Sequence, residues 1–279
     1  MNVNPTLELI TTKAQLLYKL GFTNSKQEII WYLEQLNLLT MEQLYTNNII
    51  LNNNIETKIE FFYNERKQYK PYQYITKQSN YYGRDFYIDE RVLIPRPETE
   101  ILIEHIKEKN FNKCLDIGVG SGIISITLLL ESIVHNVLST DISQDALDVA
   151  NHNFKKFNLT NYTLLKHNIL TEEFTTKFDL VISNPPYITK NEYLELPLEI
   201  KNYEPKIALT DNENGLLFYE RFAQILKKIL NIKGMFICEI SATIEIAQLI
   251  KLFQNYGYKI NIIKDLCNKN RAIVISNHV

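Results

Sequence analysis

The chain has 279 residues, 45% of them hydrophobic and 22% charged, with a formal net charge of -2. That length allows one large domain plus a small one, and the near-neutral balance argues against a protein that grips nucleic acid mainly through its phosphates. Three scattered cysteines (Cys114, Cys238, Cys267), with no C-x-x-C and no nearby His pair, argue against a disulfide framework or a zinc site.

Met1 to Ile10 carries no basic segment followed by an apolar run, and no apolar stretch approaches membrane-spanning length, so a cytoplasmic location is expected. Residues 1–70 read as a helical N-terminal domain whose apolar faces serve either to dock a substrate or to form its own core. Ser25-Lys26-Gln27-Glu28 has the form of a capping box ahead of Ile29, Ile30, Leu33 and Leu36, and Thr40-Met41-Glu42-Gln43 resembles another. A third helix is expected over Glu56 to Tyr69. Residues 1–93 carry 10 Lys/Arg and 10 Asp/Glu, which leaves no basic arm. From Tyr72 to Ile94, Tyr and Ile alternate with polar residues around Gly83, which predicts a β-hairpin connector over 71–94.

Residues 95–279 alternate strand and helix. Apolar runs at Lys113–Ile117, Val137–Thr140, Tyr162–Lys166, Phe178–Ser183, Met235–Ile240, Tyr258–Ile263 and Ala272–Ser276 predict seven strands. Helical patterns fall near Glu98–Lys109, Ile123–Leu130, Gln144–Phe157, Leu216–Ile229 and Ile244–Asn255. The last two strands, joined by a short loop, should form an antiparallel hairpin. The expectation is an α/β, doubly wound, mostly parallel seven-stranded sheet with a reversed last strand.

Three segments carry chemistry. Asp116-Ile117-Gly118-Val119-Gly120-Ser121-Gly122 follows the first of these strands and opens a helix. A nicotinamide-binding loop prefers G-x-G-x-x-G with a pyrophosphate at the helix N-terminus. Here the spacing is G-x-G-x-G, which suits a ligand without phosphates whose α-amino group finds Asp116 or nearby carbonyls; S-adenosylmethionine fits that description. Asp141, ending the second strand, can accept both ribose hydroxyls, or cap the next helix together with Ser143. Asn168, after the third strand, is placed to meet the adenine edge.

Asn184-Pro185-Pro186-Tyr187 ends the apolar run Phe178–Ser183. The Asn184 side-chain oxygen and the Pro185 carbonyl can each accept one proton of a planar NH2 group, leaving the nitrogen lone pair out of plane. Pro185 and Pro186 remove two competing backbone donors, and Tyr187 can stack on the plane. The motif offers no strong general base, so the surplus proton is expected to leave to water.

With Leu93-Ile94-Pro95-Arg96-Pro97-Glu98-Thr99-Glu100 ahead of these two loops, the chain from about Tyr72 onward resembles the HemK/PrmC family of class I, Rossmann-like methyltransferases, which modify glutamine in peptide chain release factors. The resemblance implies an enzyme that methylates the side-chain amide nitrogen (N5) of the glutamine in the Gly-Gly-Gln motif of class 1 release factors. Gly118, Val119, Gly120, Ser121, Gly122, Asp141, Asn168 and Asn184 would bind S-adenosylmethionine. Asn184, Pro185, Pro186 and Tyr187 would hold the glutamine, with Asn184, Pro185 and Tyr187 in the catalytic role. Arg96, Pro97 and Glu98 would shape the edge of the cofactor pocket; the alternative is a helix start with Pro97 at N1 and Glu98 at the positive end of the dipole. The resemblance also implies a monomer without metal, membrane attachment or direct nucleic-acid binding. The chain departs from the family pattern at Asn168, where Asp is frequent, and at Lys77 and Ser241, where Gly is common. Asn-Pro-Pro-Tyr alone is shared with adenine-N6 DNA and RNA methyltransferases. A ribosomal-protein glutamine methyltransferase is the other alternative.

Overall fold

The computed structural model describes residues 4–46, 49 and 51–276, and they divide into two compact units. The smaller comprises Met1–Lys77 together with Leu198–Tyr203. Its helices are α1 (Pro5–Tyr18), α2 (Ser25–Gln35), α3 (Met41–Thr46), α4 (Asn53–Arg66) and α5 (Tyr72–Thr76). Asn4 and Asn52 cap α1 and α4 by accepting Thr6 N–H at 2.9 Å and Ile55 N–H at 3.0 Å, satisfying donors a helix start otherwise leaves orphaned. Ile10, Leu17, Ile29, Leu33, Ile59 and Phe62 are fully buried between the helices.

Two local expectations give way here. Ser25 is not a cap: it is the first residue of α2, and its hydroxyl donates to the Ala14 carbonyl at 2.9 Å, tying α2 to α1. Thr40 and Gln43 do form the reciprocal pair, at 2.9 and 3.2 Å. The hairpin is also shorter than its sequence pattern, because Tyr72–Thr76 coils into α5 and packs Tyr74 and Ile75 inward.

The larger unit comprises Gln78–Pro197 and Glu204–Val279. It begins with the hairpin β1 (Gln78–Tyr81) and β2 (Arg84–Tyr87). A 3-10 turn, Pro97–Thr99, then leads into α6 (Glu100–Ile106). Next come β3 (Phe111–Ile117), α7 (Ile123–Leu130), β4 (Val134–Asp141), α8 (Gln144–Lys156), β5 (Tyr162–Lys166), β6 (Phe178–Ser183) and α9 (Lys190–Leu194). After α10 (Leu198–Tyr203), which belongs to the smaller unit, follow α11 (Leu217–Ile229), β7 (Leu230–Glu239), α12 (Ile246–Asn255), β8 (Asn261–Lys264) and β9 (Asn270–Ser276).

The strands β3 to β9 form one seven-stranded sheet in the order β5-β4-β3-β6-β7-β9-β8. All pairs are parallel except β7 with β9 and β9 with β8, so the reversed strand is β9, slotted between β7 and β8. The central strands read as continuous apolar runs because helices cover both faces. One layer packs Leu102, Ile103, Ile126 and Phe154 on Cys114, Leu180 and Ile237; the other packs Tyr219, Phe222, Leu226 and Phe253 on Leu115, Val181 and Phe236. This is the class I methyltransferase fold.

Candidate active site

Strand order reverses at β3, which is flanked by β4 and β6, and such a switch point opens a crevice at the carboxyl ends of the strands. The register is explicit. Ile117 lies opposite Thr140 on one side and Ser183 on the other. The next residue of each strand or strand end is therefore Gly118, Asp141 or Asn184, and all three line a cleft of about 200 Å³. The sheet thus gathers residues up to 66 positions apart in sequence onto one edge.

Gly118 and Gly120 have φ of +79° and +52°, a left-handed backbone that side chains rarely adopt. A Cβ on Gly120 would meet nothing within 4 Å, so open space lies directly against the backbone there. The loop's N–H groups are largely committed inward. Gly118 and Val119 donate to the Thr140 carbonyl at 2.8 and 2.9 Å, Gly120 to Asp141 Oδ2 at 3.1 Å, and Gly122 to the Val119 carbonyl at 2.8 Å. A pyrophosphate would need such donors free, so the loop suits a ligand without phosphates. Gly122 does not line the cleft; with φ +87°, a Cβ there would press on Ile126 and Ala150, so it serves the turn and the packing of α7 on α8.

Asp141 accepts Gly120 N–H through Oδ2 and Ser143 N–H through Oδ1, the latter at 2.9 Å. Ser143, not Asp141, caps α8, accepting from Ala146 N–H at 3.2 Å. Burial raises the Asp141 carboxyl, with the backbone N–H groups of Ser143, Gly120 and Ile142 opposing. Each oxygen keeps a lone pair for hydroxyl donors on the cleft side. Asp116, by contrast, is turned away from the cleft: it is fully buried and accepts Ser125 Oγ at 2.5 Å. A ligand's amino group there would meet main-chain carbonyls instead.

Asn168 lines the cleft and spends Oδ1 on its own turn, accepting Leu170 N–H at 3.0 Å. Its amide protons are the groups it can offer to an adenine edge. Beside it His167 is buried against Phe174, its ring 4.1 Å away, with Nδ1 3.0 Å from Glu172 and Nε2 without a partner. Burial lowers its pKa from the ordinary histidine value, with Glu172 opposing, which favours the neutral ring.

Asn184, Pro185 and Pro186 line the other end. The Asn184 Nδ2 donates to Thr99 Oγ1 at 3.1 Å; Thr99 Oγ1 donates to Glu239 Oε2 at 2.6 Å; the Tyr187 hydroxyl donates to Glu239 Oε1 at 3.1 Å. Tyr187 does not line the cleft: its ring packs against the core layer that contains Tyr219. Burial and the neighbouring Glu239 push its phenol well up, so it remains a donor. Of Arg96, Pro97 and Glu98, only Arg96 lines the cleft, paired with buried Glu204, which also accepts Ile94 N–H at 3.2 Å. Pro97 and Glu98 open the 3-10 turn that presents Thr99. Thr99 and Glu239 were not singled out as site residues from sequence. The available signal was a carboxylate closing the apolar run Met235–Glu239, where an unpaired charge would be costly.

Residues 97–197 match the family described as Methyltransferase small domain. A release factor glutamine methyltransferase of Clostridium acetobutylicum is 36% identical over 260 residues, covering 88% of this chain and 91% of that protein. A bifunctional methyltransferase of Rickettsia typhi is 38% identical over 248 residues, covering 79% of this chain and 48% of that protein, so the chain spans about half the length of that relative. Among solved structures, a methyltransferase from Pyrococcus furiosus is similar in fold, with a TM-score of 0.56 at 15% identity over 80% of this chain and 99% of that one. The chain belongs to the release factor glutamine methyltransferase family.

Proposed function

We propose that the chain transfers a methyl group from S-adenosylmethionine to the side-chain amide nitrogen (N5) of the glutamine in the Gly-Gly-Gln motif of class 1 peptide chain release factors. The observation that carries this reading is the state of Asn184. One proton of its NH2 goes to Thr99, which anchors that end of the carboxamide and leaves the oxygen as the end offered to a substrate at the cleft. An amide oxygen beside the Pro185 carbonyl accepts both protons of a primary amide and leaves the nitrogen lone pair free. Two acceptors also stabilise positive charge as it grows on that nitrogen.

Bound S-adenosylmethionine would supply a methyl group activated by its sulfonium. The protein's share is positioning, which can be worth up to roughly 7–11 kcal/mol. Gly118, Val119, Gly120 and Ser121 give the cofactor close backbone approach, Asp141 accepts the ribose hydroxyls, and Asn168 donates to the adenine. The helical unit, Met1–Lys77 with Leu198–Tyr203, is assigned to docking the protein substrate. The arginines lining the cleft, Arg91 and Arg96, are each paired with a carboxylate, Asp89 and Glu204. That weighs against a phosphate-bearing nucleic-acid substrate.

The test is incubation with labelled S-adenosylmethionine and a release factor, ribosomes or DNA in parallel, with label expected in the release factor only. Asn184→Ala should reduce single-turnover transfer at least 100-fold while cofactor affinity stays within a few-fold. Near-normal transfer would refute the assignment of Asn184.

A further inference from the structure

We propose that Glu239 is a positioning residue that, through Thr99, fixes which end of the Asn184 carboxamide faces the substrate. The inference rests on the reading of Asn184 as the amide acceptor and extends it to Thr99, at the cleft wall, and to Glu239 behind it. A threonine hydroxyl has one proton to give. With Glu239 ionised, that proton goes to Oε2, so Thr99 can only accept from Asn184, and what it accepts is the Nδ2 proton. The side-chain oxygen of Asn184 is thereby held on the cleft side.

Protonation of Glu239 at Oε2 reverses the two links through Thr99 and leaves the Tyr187 hydroxyl donating to Oε1. The carboxyl then donates to Thr99, Thr99 donates to the Asn184 oxygen, and the carboxamide presents NH2 where an acceptor is needed. One proton shift converts the clamp from one that receives amide protons to one that repels them. Tyr187 secures the other oxygen of Glu239 and orients the carboxylate plane.

The surroundings place this proton near neutrality. Glu239 is 2% exposed, and burial pushes its carboxyl up to about 7, with the Thr99 and Tyr187 hydroxyls opposing. Glu98 acts to raise it further and Arg271, on β9, to lower it. Tyr81, Tyr219 and Cys238 also face it electrostatically, and burial raises all three, keeping them neutral. The Tyr219 hydroxyl reaches only the Glu239 main-chain carbonyl, at 3.0 Å.

The experiment measures single-turnover methyl transfer to a release factor across pH 6 to 8.5, with S-adenosylmethionine affinity measured alongside. Wild type should show an acid limb near neutrality. Thr99→Val should lose at least tenfold in rate with cofactor affinity within twofold, and Thr99→Ser should recover to within threefold of wild type. Glu239→Gln should flatten the acid limb. A Thr99→Val enzyme as fast as wild type, or an unchanged acid limb in Glu239→Gln, overturns the proposal. Should Thr99→Val fail to fold, Thr99→Ser and Glu239→Gln still decide it: a Thr99→Ser enzyme more than tenfold slow also counts against it. Asn184→Ala run in parallel separates the two ideas. If it is dead while Thr99→Val is normal, only the positioning role falls; if it is active, the reading of Asn184 itself falls.

Discussion

Asp141 is a carboxylate that serves architecture and, on the proposed reading, binding as well. Its oxygens hold Gly120 and Ser143 N–H groups, which shapes the glycine loop and starts α8, yet each retains acceptor capacity toward the cleft. Replacing it by Ala removes charged hydrogen bonds to a ligand, worth roughly 1.5–3 kcal/mol. Asp141→Ala should therefore weaken S-adenosylmethionine binding by about 10- to 150-fold in a calorimetric titration. Unchanged affinity would show that the ribose hydroxyls do not reach this residue. Asn168 is a weaker determinant by the same reasoning, since its oxygen already serves Leu170 and only neutral donors remain.

At the level of elements, the joint between α5 and β1 carries visible strain. Lys77 closes α5 with φ +54°, the left-handed region where a Cβ is crowded. The glycine that the resemblance leads one to expect at this place would have no Cβ to crowd. Lys77→Gly should raise stability by roughly 0.5–1 kcal/mol, the relieved strain less the added freedom of the unfolded chain. A thermal scan should show a higher midpoint, whereas Lys77→Ala should not shift it upward.

The same comparison shows why some elements were legible and others not. Strands buried on both faces leave unbroken apolar runs, so β6 and the second half of β3 stand out in sequence. The helices α9 and α10 have five and six residues and bury none fully, so they leave no periodic signal. The glycine and Asn-Pro-Pro-Tyr loops were legible because their composition is constrained locally. The Thr99–Glu239 link spans 140 positions and the Arg66–Glu199 pair 133, and no local pattern encodes either.

For the whole molecule, two of the buried carboxylates, Asp116 and Glu239, set an unusual pH response. Burial pushes each up to about 7, against 3.8 and 4.5 for the free groups. Between those limits the folded protein keeps two protons that the unfolded chain has released. Unfolding then liberates protons, so stability falls as pH rises through the window and the loss is complete above about pH 7. Each group accounts for about 1 kcal/mol between pH 6 and pH 8, since one proton per pH unit corresponds to about 1.4 kcal/mol. His105 and His167, both lowered by burial, act in the opposite sense, but chiefly below their free value of 6.5. Asp116→Asn keeps the shape, and its Ser125 contact can persist, while the ionisation is removed. Urea unfolding should therefore show wild type more stable at pH 6 than at pH 8 and Asp116→Asn with that difference reduced by about 1 kcal/mol, because removing the ionisation stabilises the fold at both pH values and more at pH 8. An identical pH 6 to pH 8 difference in the two proteins would mean that Asp116 ionises at an ordinary carboxylate pH despite its burial.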